Sequence, residues 1–195
     1  MGNFKGPLAF ITPFFPREEV RPTLFIDRDD TLIADVSYMS DPSGVELLPG
    51  TVEGLKLFRE AGYRLIVISN QSGIGRGLIR CDQLMAVQAR LAELLAREGV
   101  TLDAVYCCPH APEEICECRK PMAGMLLQAM KDFAIDKESS LMVGDRKGDV
   151  QAGIAAGVRS VQFLRFPDSE ALPEAAYAVH RLPEAFARLQ ENGKV

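Results

Sequence analysis

Tryptophan is absent from the chain, and only two histidines occur in its 195 residues. A basic excess is missing too: 22 Lys and Arg stand against 27 Asp and Glu, for a net charge of −5. Surfaces that bind nucleic acid carry clustered positive charge, so that class of partner is not expected. No apolar run approaches the roughly 20 residues of a membrane-spanning helix. The one N-terminal patch, Leu8 to Phe15, is interrupted at Pro13 and followed by Pro16. It also lacks the basic start and small-residue cleavage site of a signal peptide. Gly2 is followed at position 6 by Gly instead of Ser or Thr, which argues against myristoylation. These absences predict a cytoplasmic protein with no membrane attachment, its thiols held reduced. Residues 1–22 read as a surface extension and 23–195 as one domain, with a monomer expected.

What is present is ordinary globular composition, 47% hydrophobic and 25% charged. Short, continuous apolar runs recur at Thr23–Ile26, Leu65–Ile68, Ala104–Cys107, Leu141–Val143, Val161–Leu164 and Ala176–Val179. Continuity instead of alternation marks strands buried on both faces of a parallel sheet. Between the runs lie helical stripes. Leu84, Val87, Leu91, Leu94 and Leu95 form one, with Asp82 as its expected N-cap and Gly99 as its stop. Met125, Leu126, Ala129, Met130 and Phe133 form another, and Val52, Leu55 and Phe58 a third that ends at Gly62. Alternating strand and helix predict a doubly wound, mainly parallel α/β sheet. In that architecture the loops after the carboxyl ends of the strands carry function.

Four such loops bear chemistry. The first is Asp27-Arg28-Asp29-Asp30-Thr31, three carboxylates within four residues. A capped turn explains one Asp, whereas three in a poorly solvated place call for a cation. Hard oxygen donors suit Mg²⁺. Gly144-Asp145-Arg146-Lys147-Gly148-Asp149 is a second acidic strand end, and neighbouring parallel strands would bring Asp27, Asp29 and Asp145 together. Ser69-Asn70-Gln71-Ser72-Gly73-Ile74-Gly75-Arg76-Gly77 offers a hydroxyl and amides to a phosphate. Arg119-Lys120-Pro121 offers a guanidinium fork and a point charge.

The cysteines form a separate feature. Cys108-Pro109-His110, five intervening residues, then Cys116-Glu117-Cys118 present three thiolates and one imidazole. Cys₃His is a structural zinc set, closed to substrate because all four positions are filled by protein. Disulfides and redox sensing are the alternatives; a reducing compartment disfavours the first, and the second leaves His110 without a role. Cys107, the last residue of its apolar run, is expected in the core instead.

Asp-x-Asp-x-Thr, a strand-end Ser, a Lys and Gly-Asp-x-x-x-Asp, in that order over about residues 23–165, resemble the haloacid dehalogenase superfamily of phosphohydrolases. The resemblance implies a Rossmann-like fold, with no room in this length for a separate cap domain, and Mg²⁺-dependent phosphomonoester hydrolysis. It implies Asp27 as nucleophile, Asp29 as acid and base, and Ser69 and Lys120 gripping the phosphoryl group. It implies Mg²⁺ on Asp27, the main-chain carbonyl of Asp29 and Asp145, with Asp149 supporting the metal through water or through contacts to its ligands. Asp30 departs from the Gly usual at that position, which predicts altered loop electrostatics. The zinc loop together with the glycine-rich loop resembles a branch acting on sugar bisphosphates. That branch implies substrate contacts from Asp35, Tyr38, Asn70, Gln71, Ser72, Arg119 and Arg146. A histidinol-phosphate branch that shares the zinc loop is the alternative, and a catalytically retired, zinc-stabilised binding protein is the third reading.

Overall fold

The apolar runs lie side by side in one sheet, seven-stranded among the described residues. The computed structural model describes residues 6–12, 16–166 and 168–191. The strands are β1 (Leu8–Ile11), β2 (Arg21–Ile26), β3 (Arg64–Asn70), β4 (Ala104–Cys108), β5 (Ile135–Gly144), β6 (Arg159–Phe163) and β7 (Tyr177–Val179). Their order across the sheet is β1-β4-β3-β2-β5-β6-β7, and all neighbours pair in parallel except β1 with β4. The helices are α1 (Thr51–Glu60), α2 (Cys81–Arg97), α3 (Gly124–Asp132), α4 (Lys147–Ala156) and α5 (Leu182–Glu191).

Successive side chains on a strand point to opposite faces, and this sorts the core into two layers. Leu24, Ile26, Val67, Cys107 and Val143 meet α1, α2 and α5 on one face. Phe25, Ile66, Ile68, Tyr106, Cys108 and Met142 meet α3 and α4 on the other. Cys107 and Cys108 therefore diverge: the first is fully buried in one core layer, as expected, while the second reaches the opposite layer.

The strand order places the site. From β2 the chain winds outward to β3 and β4, then returns to β5 on the other side of β2 and winds outward again. The reversal leaves a crevice between the carboxyl ends of β2 and β5, where open α/β sheets bind ligands. Ile26 is opposite both Val67 and Val143, and the Asp27 N–H donates to the Val143 carbonyl at 2.9 Å. Between the first acidic loop and β3 lie only a short 3₁₀ turn and α1, and between β3 and the Lys120 loop only α2 and β4.

Several expectations need correction. Within the N-terminal extension, residues 8–11 pair with β4 as an antiparallel edge strand, with Leu8 and Phe10 packed on the core. Arg64, fully buried, holds the segment that follows by donating to the carbonyls of Pro16 (2.8 Å) and Glu19. Asp82 does not cap α2. Arg80 is the N-cap, its N–H accepted by Gln83 at 2.9 Å, while Asp82 pairs with the Arg80 guanidinium. The strand expected at Leu141 begins at Ile135, six residues earlier; its first half pairs with the start of β2 but is partly exposed and has no apolar run to mark it. α4 shows no large apolar stripe since its buried face is small: a Cβ on Gly153 would meet the Ser160 hydroxyl and Met142 at 2.2 and 2.7 Å.

Candidate active site

Asp27 sits where β2 ends, only 7% exposed. Lys120 Nζ reaches it from the loop before α3, 2.5 Å from Oδ1, and lies equally close to Asp149 Oδ1. The same ammonium donates to the Ile68 carbonyl at 2.7 Å. Burial holds the Asp27 carboxyl well above the ordinary range; Lys120 opposes this and the carboxylates of Asp149, Asp29 and Asp145 add to it. Burial also disfavours the charge on Lys120, but Asp149 and Asp27 more than offset it and its pKa is raised. Asp145 is pushed up to about 6, by burial first and then by Asp149.

Carboxylate oxygens of Asp27, Asp145 and Asp149 lie within 4.8 Å of one another. Asp149 belongs to this cluster directly, although the sequence suggested a supporting place. Its position at the third residue of α4 explains how: its side chain accepts the Arg146 N–H at 2.9 Å and is turned back over the strand end. Gly144 leaves the room, since a Cβ there would stand 2.4 Å from the Asp149 carboxyl carbon. Asp145 Oδ1 is buried without a hydrogen-bond partner among the described residues. Three crowded carboxylates, one with an orphaned oxygen, fit a hard divalent cation such as Mg²⁺.

The Asp29 side chain is held elsewhere. Arg28 donates to it from Nε and Nη2, both at 2.9 Å, and Gln71 Nε2 donates at 2.8 Å. Ser69 is fully buried, its hydroxyl accepting from Gln71 Nε2 at 2.8 Å and standing 3.5 Å from Asp29. Arg28, to which the sequence pattern assigns no role, is almost completely buried; its place between two catalytic candidates is the available signal.

A cavity of about 390 Å³ opens above these groups. It is lined by Asp27, Asp29 and Lys120 and by every expected substrate contact: Asp35, Tyr38, Asn70, Gln71, Ser72, Arg119 and Arg146. Ser69 and Asp145 do not line it. Three arginines, Arg28, Arg119 and Arg146, stand on its wall beside the carboxylates, and Arg119 Nη1 is buried without a hydrogen-bond partner among the described residues. Arg146 bridges Asp35 (3.6 Å) and Asp145 (3.7 Å). Tyr38, at φ 55°, receives a hydrogen bond from Arg76 across the rim. Asp30, at φ 54°, tolerates the left-handed region as Asp can. Its carboxylate pairs with Arg165 at 3.6 Å and accepts the Asp35 N–H at 3.3 Å.

Beside the cavity, ligand atoms of Cys108, His110, Cys116 and Cys118 lie within 4.8 Å of one another. His110 Nδ1 is 3.5 Å from Cys108 Sγ and 3.3 Å from Cys118 Sγ, and the sulfurs of Cys108 and Cys116 are 3.8 Å apart. A zinc–sulfur bond of about 2.3 Å gives a tetrahedral edge of roughly 3.8 Å, so the set fits zinc. All five cysteines are free thiols. Contact with Cys118 is the main cause of the low pKa of Cys108, about 5, and Cys118 is correspondingly raised. This loop abuts the glycine-rich one: the Gly75 N–H donates to the Pro109 carbonyl at 2.8 Å, and a Cβ on Gly75 would lie 2.4 Å from Ala111 N.

The chain is similar to several known proteins. A family model described as HAD-hydrolase-like matches residues 117–183. The D-glycero-β-D-manno-heptose-1,7-bisphosphate 7-phosphatase of Yersinia pestis is 38% identical over 151 residues, covering 74% of this chain and 80% of that protein. The protein of the same name from Haemophilus influenzae is 41% identical over 148 residues, covering 73% and 80%. Among solved structures, D,D-heptose 1,7-bisphosphate phosphatase from B. bronchiseptica, complexed with magnesium and phosphate, superposes with a TM-score of 0.80 at 27% identity. That match covers 88% of this chain and 99% of the other.

Proposed function

We propose, from the premise that the chain belongs to the haloacid dehalogenase-like phosphatases, that it removes the 7-phosphate of D-glycero-D-manno-heptose 1,7-bisphosphate. The substrate reading is supported by the names of the relatives. The observation that carries the chemistry is the single ammonium of Lys120 shared between Asp27 and Asp149 on the cavity floor.

In this reading Asp27 attacks phosphorus in line and becomes an aspartyl-phosphate. Lys120 and Ser69 hold the oxygens of the transferred group. Asp29 protonates the departing alkoxide, then takes a proton from the water that releases phosphate. Arg28 and Gln71 fix its carboxylate for both steps. Asp27, Asp145 and the main-chain carbonyl of Asp29, with Asp149 in reach, would hold Mg²⁺, which would supply charge neutralisation during the transfer. Asp35, Tyr38, Gln71, Ser72, Arg119 and Arg146 line the space for the sugar and its second phosphate, with Asn70 on the wall toward Lys120. Cys108, His110, Cys116 and Cys118 would hold zinc, which would stiffen the wall next to Lys120. The free thiols suit a reducing cytoplasm, and no helix among the described residues is long and apolar enough to cross a membrane.

The test compares kcat/KM for both anomers of the heptose bisphosphate with that for histidinol phosphate, in the presence of Mg²⁺. A preference for the heptose bisphosphate of at least about tenfold is expected, a difference of about 1.4 kcal/mol in transition-state binding. Preference for histidinol phosphate moves the chain to the alternative branch. Robust turnover by Asp27→Asn removes the proposed nucleophile, and failure to hydrolyse any phosphomonoester revives the retired binding protein.

A further inference from the structure

Asn70, the last residue of β3, spends its carboxamide on one partner fifty residues away. Its Oδ1 accepts the Lys120 N–H at 3.0 Å, and its Nδ2 donates to the Lys120 carbonyl at 3.1 Å. The two bonds are reciprocal, so a side-chain amide stands in for the neighbouring strand that Lys120 lacks; the residue lies in a turn between β4 and α3. Two residues earlier on β3, the Ile68 carbonyl accepts from Lys120 Nζ at 2.7 Å. The end of β3 thus holds Lys120 twice, at the root of the side chain and at its tip.

A lysine is a point charge on a flexible four-carbon stem with high rotamer entropy. Contacts at the tip alone, to Asp27 and Asp149, fix the ammonium only if the main chain it grows from is fixed as well. We propose that Asn70 is a positioning residue for phosphoryl transfer: through the main chain of Lys120 it sets where the ammonium stands over the transferred phosphate. This rests on the reading of Lys120 as the phosphate-gripping residue. It differs in consequence from a contact between Asn70 and the sugar. Every phosphomonoester brings the same phosphoryl group to Lys120, but only the true substrate brings the sugar.

The experiment measures kcat and KM of Asn70→Ala and Asn70→Asp on the heptose bisphosphate and on p-nitrophenyl phosphate, with Lys120→Met alongside and folding followed by circular dichroism. Asn70→Asp keeps the shape and the acceptor but sets a second oxygen against the Lys120 carbonyl, so it carries the test should the alanine variant fail to fold. Misplacement of a reacting group by about 1 Å can lower rate on the order of 100-fold. A fall of about that size in kcat is expected on both substrates by the same factor, with KM changed less than about threefold. A loss confined to the heptose bisphosphate, or carried by KM, overturns the proposal and makes Asn70 a sugar contact. Wild-type rates in the Asn70 variants beside an inert Lys120→Met overturn it while leaving the role of Lys120 intact. An active Lys120→Met removes the underlying reading instead.

Discussion

The guanidinium of Arg28 lies against the carboxylate of its sequence neighbour Asp29 in a two-pronged contact, both distances 2.9 Å. The arginine side chain is 2% exposed and the aspartate 18%. Adjacent residues on an extended strand point apart, so the pair forms only because the chain turns as it leaves β2. The contact ties a buried charge to the candidate proton donor, which makes stability and catalysis separable by mutation.

Asp29→Asn keeps the shape of the side chain and leaves Arg28 buried without its counter-charge. Breaking such a pair from one side costs about 3–5 kcal/mol when fully buried, and about 2 kcal/mol is expected for this partly solvated case. Turnover should fall at least about 100-fold as the general acid is lost. Adding Arg28→Met should return much of the stability and none of the turnover. Urea unfolding and initial rates on the same preparations check both; recovery of activity in the double variant would sink the acid role.

Gly144→Ala addresses the metal cluster without touching a charge. The new methyl would stand 2.4 Å from the Asp149 carboxyl carbon, displacing that carboxylate from Lys120. Overpacking of this kind costs about 1–3 kcal/mol. A loss of turnover and a weaker rise in melting temperature on adding Mg²⁺ are expected together. Unchanged kinetics would mean that Asp149 has no part in the site.

Protein purified without chelator should contain about one zinc per chain. Cys116→Ser/Cys118→Ser should lose it and melt at lower temperature, because binding energy at a structural zinc site is folding energy. Elemental analysis and calorimetry measure the two effects. Equal stability in the double variant would remove zinc from its structural role.

Far from the cavity, burial pushes the Tyr63 phenol up to about 12, while its hydroxyl donates to the Ser139 carbonyl at 2.9 Å. A phenol that loses its proton later in the folded state than the ordinary value near 10 favours folding below pH 10. That contribution disappears as pH rises from about 10 to about 12. Its size is on the order of 2 kcal/mol. Tyr63→Phe should be somewhat less stable at pH 7 yet show a shallower loss between those pH values, with turnover at pH 7 unaffected. Denaturant midpoints against pH test this; parallel curves for the two proteins would contradict it.

The architecture was largely readable because it rests on local patterns. Buried parallel strands leave continuous apolar runs, and helices with one large apolar face leave stripes. Legibility failed where burial is achieved otherwise. β5 starts in half-exposed residues, and α4 packs a small-residue face against Ser160 and Met142. β1 is a short edge strand whose pairing with β4, almost a hundred residues on, has no local signature. Cys107 and Cys108, adjacent in sequence, separate only through the alternation of β4.

The sequence by itself determined the kinds of groups available: carboxylates at two strand ends, an amide-rich loop, a lysine, and four metal-type ligands at short spacing. Residue type and strand position suffice for that, since parallel strands deliver their following loops to one edge. Only the tertiary structure decided how the groups divide. It set Asp149 with Asp27 and Asp145, turned the Asp29 side chain to Arg28 and Gln71, and bound Asn70 to the main chain of Lys120. Apart from the neighbouring Arg28 and Asp29, those choices depend on long-range pairings, such as Lys120 with Asp27 and Gln71 with Asp29, where chain distance carries no information and only packing brings the atoms within hydrogen-bond reach.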